Sequence, residues 1–388
     1  MNFIVTVYKE IGMFYIDYSW RLALISIITF IIMLIMSKPI RTYCSPQSNN
    51  VYCGMNIFFL LYTSTCIFAF WEYDTYHYWN NFLEAKSYGY YEITGYEAVY
   101  NWLAGICQNN YFLWRTFIFL PACLFLYYSV KRLELLQRNM LVALILFGAM
   151  LSYTRGMLGH AMLLYGAILI VDDRSSSKAK FVGLIFICVS YFFHKSMYVN
   201  IAFVLLAFCH FNKRLFVLSL IAFPFLTLVA TSLVDHIASG AMDISFGEGV
   251  GGAGDRTLDY VSKGRMESNI IGTFVKVFIL APQYLTLFYL SNRVLYKKCF
   301  IGLKDEKVFT YLYKLTYVAI YIASLFAFVE TSNWIYERFK YMGFFPLPFV
   351  LAKVWSLEKK TNKWIKWIIL LQMFCLFYTW IYRLYKWY

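Results

Sequence analysis

Charged side chains are scarce along this chain: Asp, Glu, Lys and Arg make up only 14% of its 388 residues, against roughly a quarter in ordinary soluble domains. Too little polar surface exists to cover a core of this size, which excludes a soluble fold. Segments of about ten residues with alternating hydrophobicity are lacking too, which excludes a transmembrane β-barrel. The nine cysteines show no framework spacing. Cys66, Cys123, Cys188, Cys209 and Cys375 fall inside apolar runs, where a free thiol is a small hydrophobe. Neither a structural disulfide nor a zinc site is expected. The first apolar run, from Trp20 to Met36, is preceded by no basic n-region and followed by no small-residue cleavage site. It reads as a retained span rather than a signal peptide.

What the chain has in quantity is apolar sequence, 61% of its residues. The runs approach or reach the roughly 17 to 25 residues that cross a hydrocarbon core about 30 Å thick. Inside lipid every backbone N–H and C=O needs an internal partner, so these runs are expected to be helices. The predicted spans are 20–37, 52–71, 112–130, 139–153, 156–171, 181–193, 197–210, 214–234, 270–290, 309–329, 340–354 and 365–383. The expected architecture is therefore an all-α polytopic membrane protein with about twelve helices in a single transmembrane domain, 1–388. Four short spans form two pairs that meet at Arg155 and at His194, and each pair reads either as two helices or as one broken element. Aromatic residues reach 21%. Such rings suit membrane interfaces, and their flat faces can stack on the apolar face of a pyranose.

Orientation follows from loop charge. One set of loops and span ends carries 20 basic residues against six acids, and the opposite set carries 14 against 15. The basic side should be cytoplasmic by the positive-inside rule, which places both termini outside. With Lys314 inside a span, the two sides account for the net charge of +14, and nucleic acid is not an expected partner. Two long loops lie on the outer side. Residues 72–111 are rich in Tyr, Trp and acids, and residues 235–269 contain the glycine-dense stretch Phe246 to Arg256. That stretch resembles neither a P-loop nor a dinucleotide fingerprint. It reads as a flexible outer loop or as a mobile lid.

Ionisable residues at membrane depth are costly and face a cavity or a partner. On the outer side they are few. Arg115 opens the third span. Arg155 stands at the break between the fourth and fifth, beside Gly156 and Gly159, with no acid nearby in sequence. A guanidinium there can bind a phosphate oxygen pair bidentately; the alternative is a snorkelling interfacial Arg with helix packing on the glycines. His160 lies five residues on, about 140° around an ideal helix. His194 and Lys195 lie at the other break. An imidazole there can serve as general base or donate to a phosphate, or simply be satisfied within the bundle. In Trp71 to Trp79, a helix would place Asp74, His77 and Tyr78 on one face. This cluster, with Tyr76, reads as a sugar subsite in which Asp74 could be a base, or as an interfacial aromatic belt. Gly95-Tyr96-Glu97 is a similar, smaller cluster. Arg256, Arg265 and Arg338 are further cations for substrate contact, with Glu330 and Glu337 as possible ion-pair partners.

Taken together, Asp74-x-Tyr76, Gly95-Tyr96-Glu97-x-x-Tyr100-Asn101, Tyr153-x-Arg155-Gly156 and Phe193-His194-Lys195-Ser196 resemble the EpsG-like branch of the Wzy-type polysaccharide polymerases. The resemblance covers roughly residues 20–210. The C-terminal half adds Glu337-Arg338-Phe339-x-Tyr341 and hydropathy. It implies a GT-C-class enzyme of the bacterial inner membrane with its site on the periplasmic or exterior side. It also implies transfer of a growing glycan from an undecaprenyl-pyrophosphate carrier to another lipid-linked repeat unit, without nucleotide sugar, metal or other cofactor. Membrane lipids and a chain-length regulator protein are the further partners implied. On that reading His194, Asp74 and Arg155 are catalytic, and Arg115, Tyr76, His77, Glu97, His160, Lys195, Arg256, Arg265 and Arg338 bind substrate. Three other activities remain open from the residues: an O-antigen ligase, a flippase or transporter, and a membrane O-acyltransferase with His194 as base.

Overall fold

The computed structural model describes residues 59–67 (except 61 and 65), 78, 82, 98–135 (except 109), 154–238 (except 195 and 196), 270–327, 333–358, 364, 367, 368 and 371. The expected spans 20–37 and 139–153 and the glycine-dense stretch lie outside these residues. The regular structure described is helical, without a strand among the described residues. In chain order the helices are α1 Ala98–Ile106, α2 Tyr111–Arg132, α3 Thr154–Val171, α4 Ser177–Ser190, α5 Met197–Leu206, α6 Lys213–Ala238, α7 Ile270–Ser291, α8 Glu306–Leu325, α9 Asn333–Phe344 and α10 Leu347–Glu358. Described positions between 59 and 67 are helical as well. Among the described residues, three helices are long and apolar enough to cross a membrane: α2, Lys213–Val234 of α6, and α8.

The caps follow from local chemistry. Asn110 is extended, and its side-chain oxygen accepts from the Leu113 amide at 3.0 Å, opening α2. Ser176 accepts from the Ala179 amide and opens α4. A hydroxyl or amide at this position satisfies one of the orphan donors of the first turn. The expected span 340–354 is not one helix. α9 ends at Phe344 and α10 begins at Leu347, with Phe345 and Pro346 between them. Proline lacks an N–H and disfavours α geometry in the residue before it. The break near His194 is real: α4 passes into a 3₁₀ turn, Tyr191–Phe193, and His194 is extended before α5.

The chain divides into two compact units, 1–197 with 351–388, and 198–350. In the first, α3 and α4 form an antiparallel hairpin whose closest approach is at two glycines. A Cβ on Gly166 would stand 2.6 Å from the Gly183 carbonyl oxygen, and one on Gly183 would stand 2.7 Å from that of Gly166. Backbone contact of this kind is how helices associate where lipid supplies no hydrophobic drive. α2 packs beside the hairpin: Phe125 meets Phe186 at 5.0 Å between centroids and Tyr165 at 5.8 Å. Arg132 pairs with Asp172, so α2 and α3 run parallel with an offset of 40 residues. The helical residues 59–67 run antiparallel to α2, with Phe59 against Tyr127 and Cys66 against Cys123.

In the second unit, α8 is largely buried and carries tyrosines at one-turn spacing. Tyr313 donates to Ser291, Tyr317 shares a hydrogen bond with Ser219, and Tyr321 donates to the Ser219 carbonyl. α9 closes on α8 at Gly343, where a Cβ would meet Ile320 at 2.5 Å. By contrast α6 exposes Leu218, Ile221, Phe225 and Leu228. A row of bare apolar side chains on a 26-residue helix is stable against hydrocarbon and unfavourable against water.

Candidate functional site

The offset of 40 organises one end of the first unit. Carried toward the N-termini of α2 and α3, it sets Arg155, the second residue of α3, level with Arg115, in the first turn of α2. The α3–α4 hairpin brings the end of α4, the 3₁₀ turn and His194 back to the same end. Two arginine positions, His160 and His194 thus share the end that loop charge assigns to the outside.

Arg115 is 1% exposed. Its Nη1 donates to the Tyr111 hydroxyl at 3.1 Å and its Nη2 to the Cys66 carbonyl at 2.6 Å. The guanidinium carbon lies 4.9 Å from the Phe119 ring centroid and 5.6 Å from that of Tyr111. A buried cation is tolerated only when hydrogen-bonded, and these contacts hold the guanidinium plane in one orientation. Burial also lowers the local dielectric, so the field of this charge on a nearby anion is stronger than it would be in water.

His160 is fully buried one turn into α3. Its Nδ1 lies 2.6 Å from the Gly156 carbonyl. A carbonyl only accepts, so Nδ1 carries the proton and Nε2 presents a lone pair in the neutral ring. Gly159, beside it, takes the packing role of a small residue: a Cβ there would stand 2.9 Å from the Met197 sulfur. His194 is 3% exposed. Its carbonyl accepts from the Met197 amide at 2.9 Å, which closes the turn into α5. The preceding Phe193 packs on Tyr100 of α1 at 6.2 Å, and Tyr100 accepts from the Trp114 indole N–H at 3.2 Å. Through Phe193, Tyr100 and Trp114 the turn before His194 is therefore linked to α1 and to the start of α2. Cys107, in the turn between α1 and α2, is pushed up to about 12 by burial, so it stays a thiol and supplies no nucleophile.

Arg338 is placed on α9, in the second unit. Two residues on, the buried Lys340 ammonium lies 4.8 Å from the Tyr336 ring and 5.8 Å from that of Tyr341. Asp74, Tyr76, His77, Glu97, Lys195, Arg256 and Arg265 lie outside the described residues. Sequence reasoning passed over Trp114, and took Tyr100 only as part of a motif. The adjacency of Trp114 to Arg115 was a usable signal, whereas the 40-residue register was not visible in one dimension.

The EpsG family matches the chain over residues 51–387, and the chain belongs to that family. No curated protein and no solved structure matches it.

Proposed function

We propose that this EpsG-family protein joins undecaprenyl-pyrophosphate-linked oligosaccharide repeat units into surface polysaccharide. It does so as a multi-pass enzyme of about twelve spans in the bacterial inner membrane, with its site on the outer face. Family membership suggests a polymerase-type role in polysaccharide biosynthesis. The observation that carries the finer reading is the level placement of Arg115 and Arg155 at the outer end, beside the turn of His194.

The reaction breaks the bond between the anomeric carbon of the donor glycan and its pyrophosphate oxygen. A hydroxyl of the acceptor repeat unit forms the new glycosidic bond, its proton passes to a base, and undecaprenyl pyrophosphate departs. Negative charge develops on the leaving group, and fixed cations in a water-poor site are the main means of stabilising it. Arg155 takes the pyrophosphate in this reading, with Arg115 holding the adjacent field. His194 or Asp74 accepts the hydroxyl proton. Tyr76, His77, Glu97, His160, Lys195, Arg256, Arg265 and Arg338 contact the glycan and the carrier. Charge neutralisation falls to arginine rather than to a metal. A chain-length regulator would act on this enzyme from outside the chain.

The direct test is incubation of the purified protein with a lipid-linked repeat unit, followed by sizing of the products. A ladder of lengths is expected. A single transfer to a different lipid would replace polymerisation with ligation, and no product would favour transport.

A further inference from the structure

One indole connects the parts of the outer end. Trp114 has no exposed surface, and four rings surround it: Tyr78 at 6.2 Å, Phe82 at 5.1 Å, Tyr100 at 5.6 Å and Tyr111 at 5.9 Å. Tyr78 and Phe82 come from the outer loop, Tyr100 from α1, and Tyr111 from the first turn of α2. The indole can only donate, and its Nε1–H goes to the Tyr100 carbonyl at 3.2 Å. That bond fixes which way the ring faces, a constraint that apolar packing alone would not impose. On one side, Tyr111 stacks on Trp114 and its hydroxyl accepts from Arg115. On the other, Tyr100 packs on Phe193, the residue before His194.

We infer that Trp114 is the positioning residue of this site, setting α1 and the outer-loop residues Tyr78 and Phe82 against Arg115 and the turn of His194. The inference rests on reading this end as the glycosyl-transfer site. Trp114 acts through Tyr111 toward the cation and through Tyr100 and Phe193 toward the imidazole. It thus joins Tyr78 and Phe82, α1 and α2 at a single point.

The test uses the full-length protein in liposomes, in a cysteine-free background. Nitroxide labels go on Trp102→Cys in α1 and Phe192→Cys in the 3₁₀ turn, both more than half exposed. Trp114→Phe keeps an apolar ring and removes the hydrogen bond. It is expected to broaden and shift the label-to-label distance distribution at a temperature where the protein stays fully folded, although the lost ring volume lowers the thermal unfolding midpoint. Polymer formation should slow by on the order of tenfold to a hundredfold, the cost of a small misplacement at a reacting centre. The effect of Trp114→Phe combined with Phe193→Leu should be smaller than the product of the two, because both act along one path. An unchanged distance distribution, strictly multiplicative effects, or a slowing accounted for entirely by the unfolded fraction at the assay temperature would each overturn the assignment. If the unlabelled wild-type protein makes no polymer, the glycosyl-transfer reading fails, and the distance measurement still decides whether Trp114 positions the turn.

Discussion

The parallel helices α2 and α3 hold charge differently at their two ends. At the inner end, Arg132 Nε meets Asp172 at 2.8 Å and its Nη2 donates to Ser175 at 2.7 Å. Arg174 pairs with the same Asp172 at 2.9 Å and reaches Glu134 at 3.2 Å. Two guanidiniums and two carboxylates interlock there. At the outer end, Arg115 is held by a phenol, a backbone carbonyl and two aromatic faces, groups that carry no formal charge. The inner arrangement spends its charge on fixing a loop between helices. The outer one orients a cation without placing a carboxylate among those four contacts. One helix pair therefore holds the same residue type in two ways, by carboxylates at one end and, among the four contacts described, by neutral oxygen and rings at the other.

The sharpest way to break this contrast is Arg155→Ala. The expected outcome is loss of polymer with single repeat units left on the lipid carrier, read by gel sizing of lipid-linked glycans. Chains of normal length from this variant would remove Arg155 from the reaction. Next comes Arg115→Met, which keeps length and apolar bulk. Removing one such stabilising donor is expected to cost about 10²- to 10³-fold in turnover, with about 1–3 kcal/mol of stability from the orphaned Cys66 carbonyl. Kinetics and a thermal melt together check it, and a loss of stability with turnover per folded molecule intact would make Arg115 structural.

The hairpin supplies a control away from both ends. Gly166→Ala must push α3 from α4, because its Cβ would meet the Gly183 carbonyl oxygen at 2.6 Å. Overpacking of this kind costs about 1–3 kcal/mol, so a lowered melting temperature is expected. An unchanged melt would mean that the helices are not packed this closely.

The smallest effect concerns the inner knot. Burial by itself would raise the Asp172 carboxyl, but hydrogen bonds from the Arg174 side chain and amide outweigh it. With the charges of Arg174 and Arg132 they hold it below its ordinary value. A depressed carboxyl contributes stability that is present above the unfolded value, near 4, and lost as pH falls through the lower folded value. Asp172→Asn should therefore destabilise the protein at neutral pH by about 1–3 kcal/mol, the cost of weakened hydrogen bonds, and flatten its acid-side stability curve, with turnover per folded molecule unchanged. If turnover fell with Asp172→Asn while the fold held, the inner end would share in the chemistry and the contrast would dissolve.

Much of this was legible before any coordinates. The limits of α2, α3 and α8 lie within a few residues of the apolar runs at 112–130, 156–171 and 309–329, because in lipid the length and content of a run leave few alternatives to a helix. Arg115, His160 and His194 stood out because ionisable groups are rare beside such runs. Pro346 marked a break that was nevertheless read through, since hydropathy averages over a single residue and backbone geometry does not. Trp114 went unnoticed because in a chain with 11 tryptophans no one ring is conspicuous until its neighbours are known.

Composition and the order of apolar segments by themselves pointed to a helical membrane protein, because satisfying the backbone within an apolar run is a property of local sequence. Only the tertiary structure decided that Arg155 stands level with Arg115, that His194 returns beside them, and that Trp114 joins the outer loop to both. Those relations depend on the offset between α2 and α3 and on the glycine contact between α3 and α4. Both arise from residues 40 and 17 apart meeting in space, the first through side chains and the second through backbone, which no local pattern encodes.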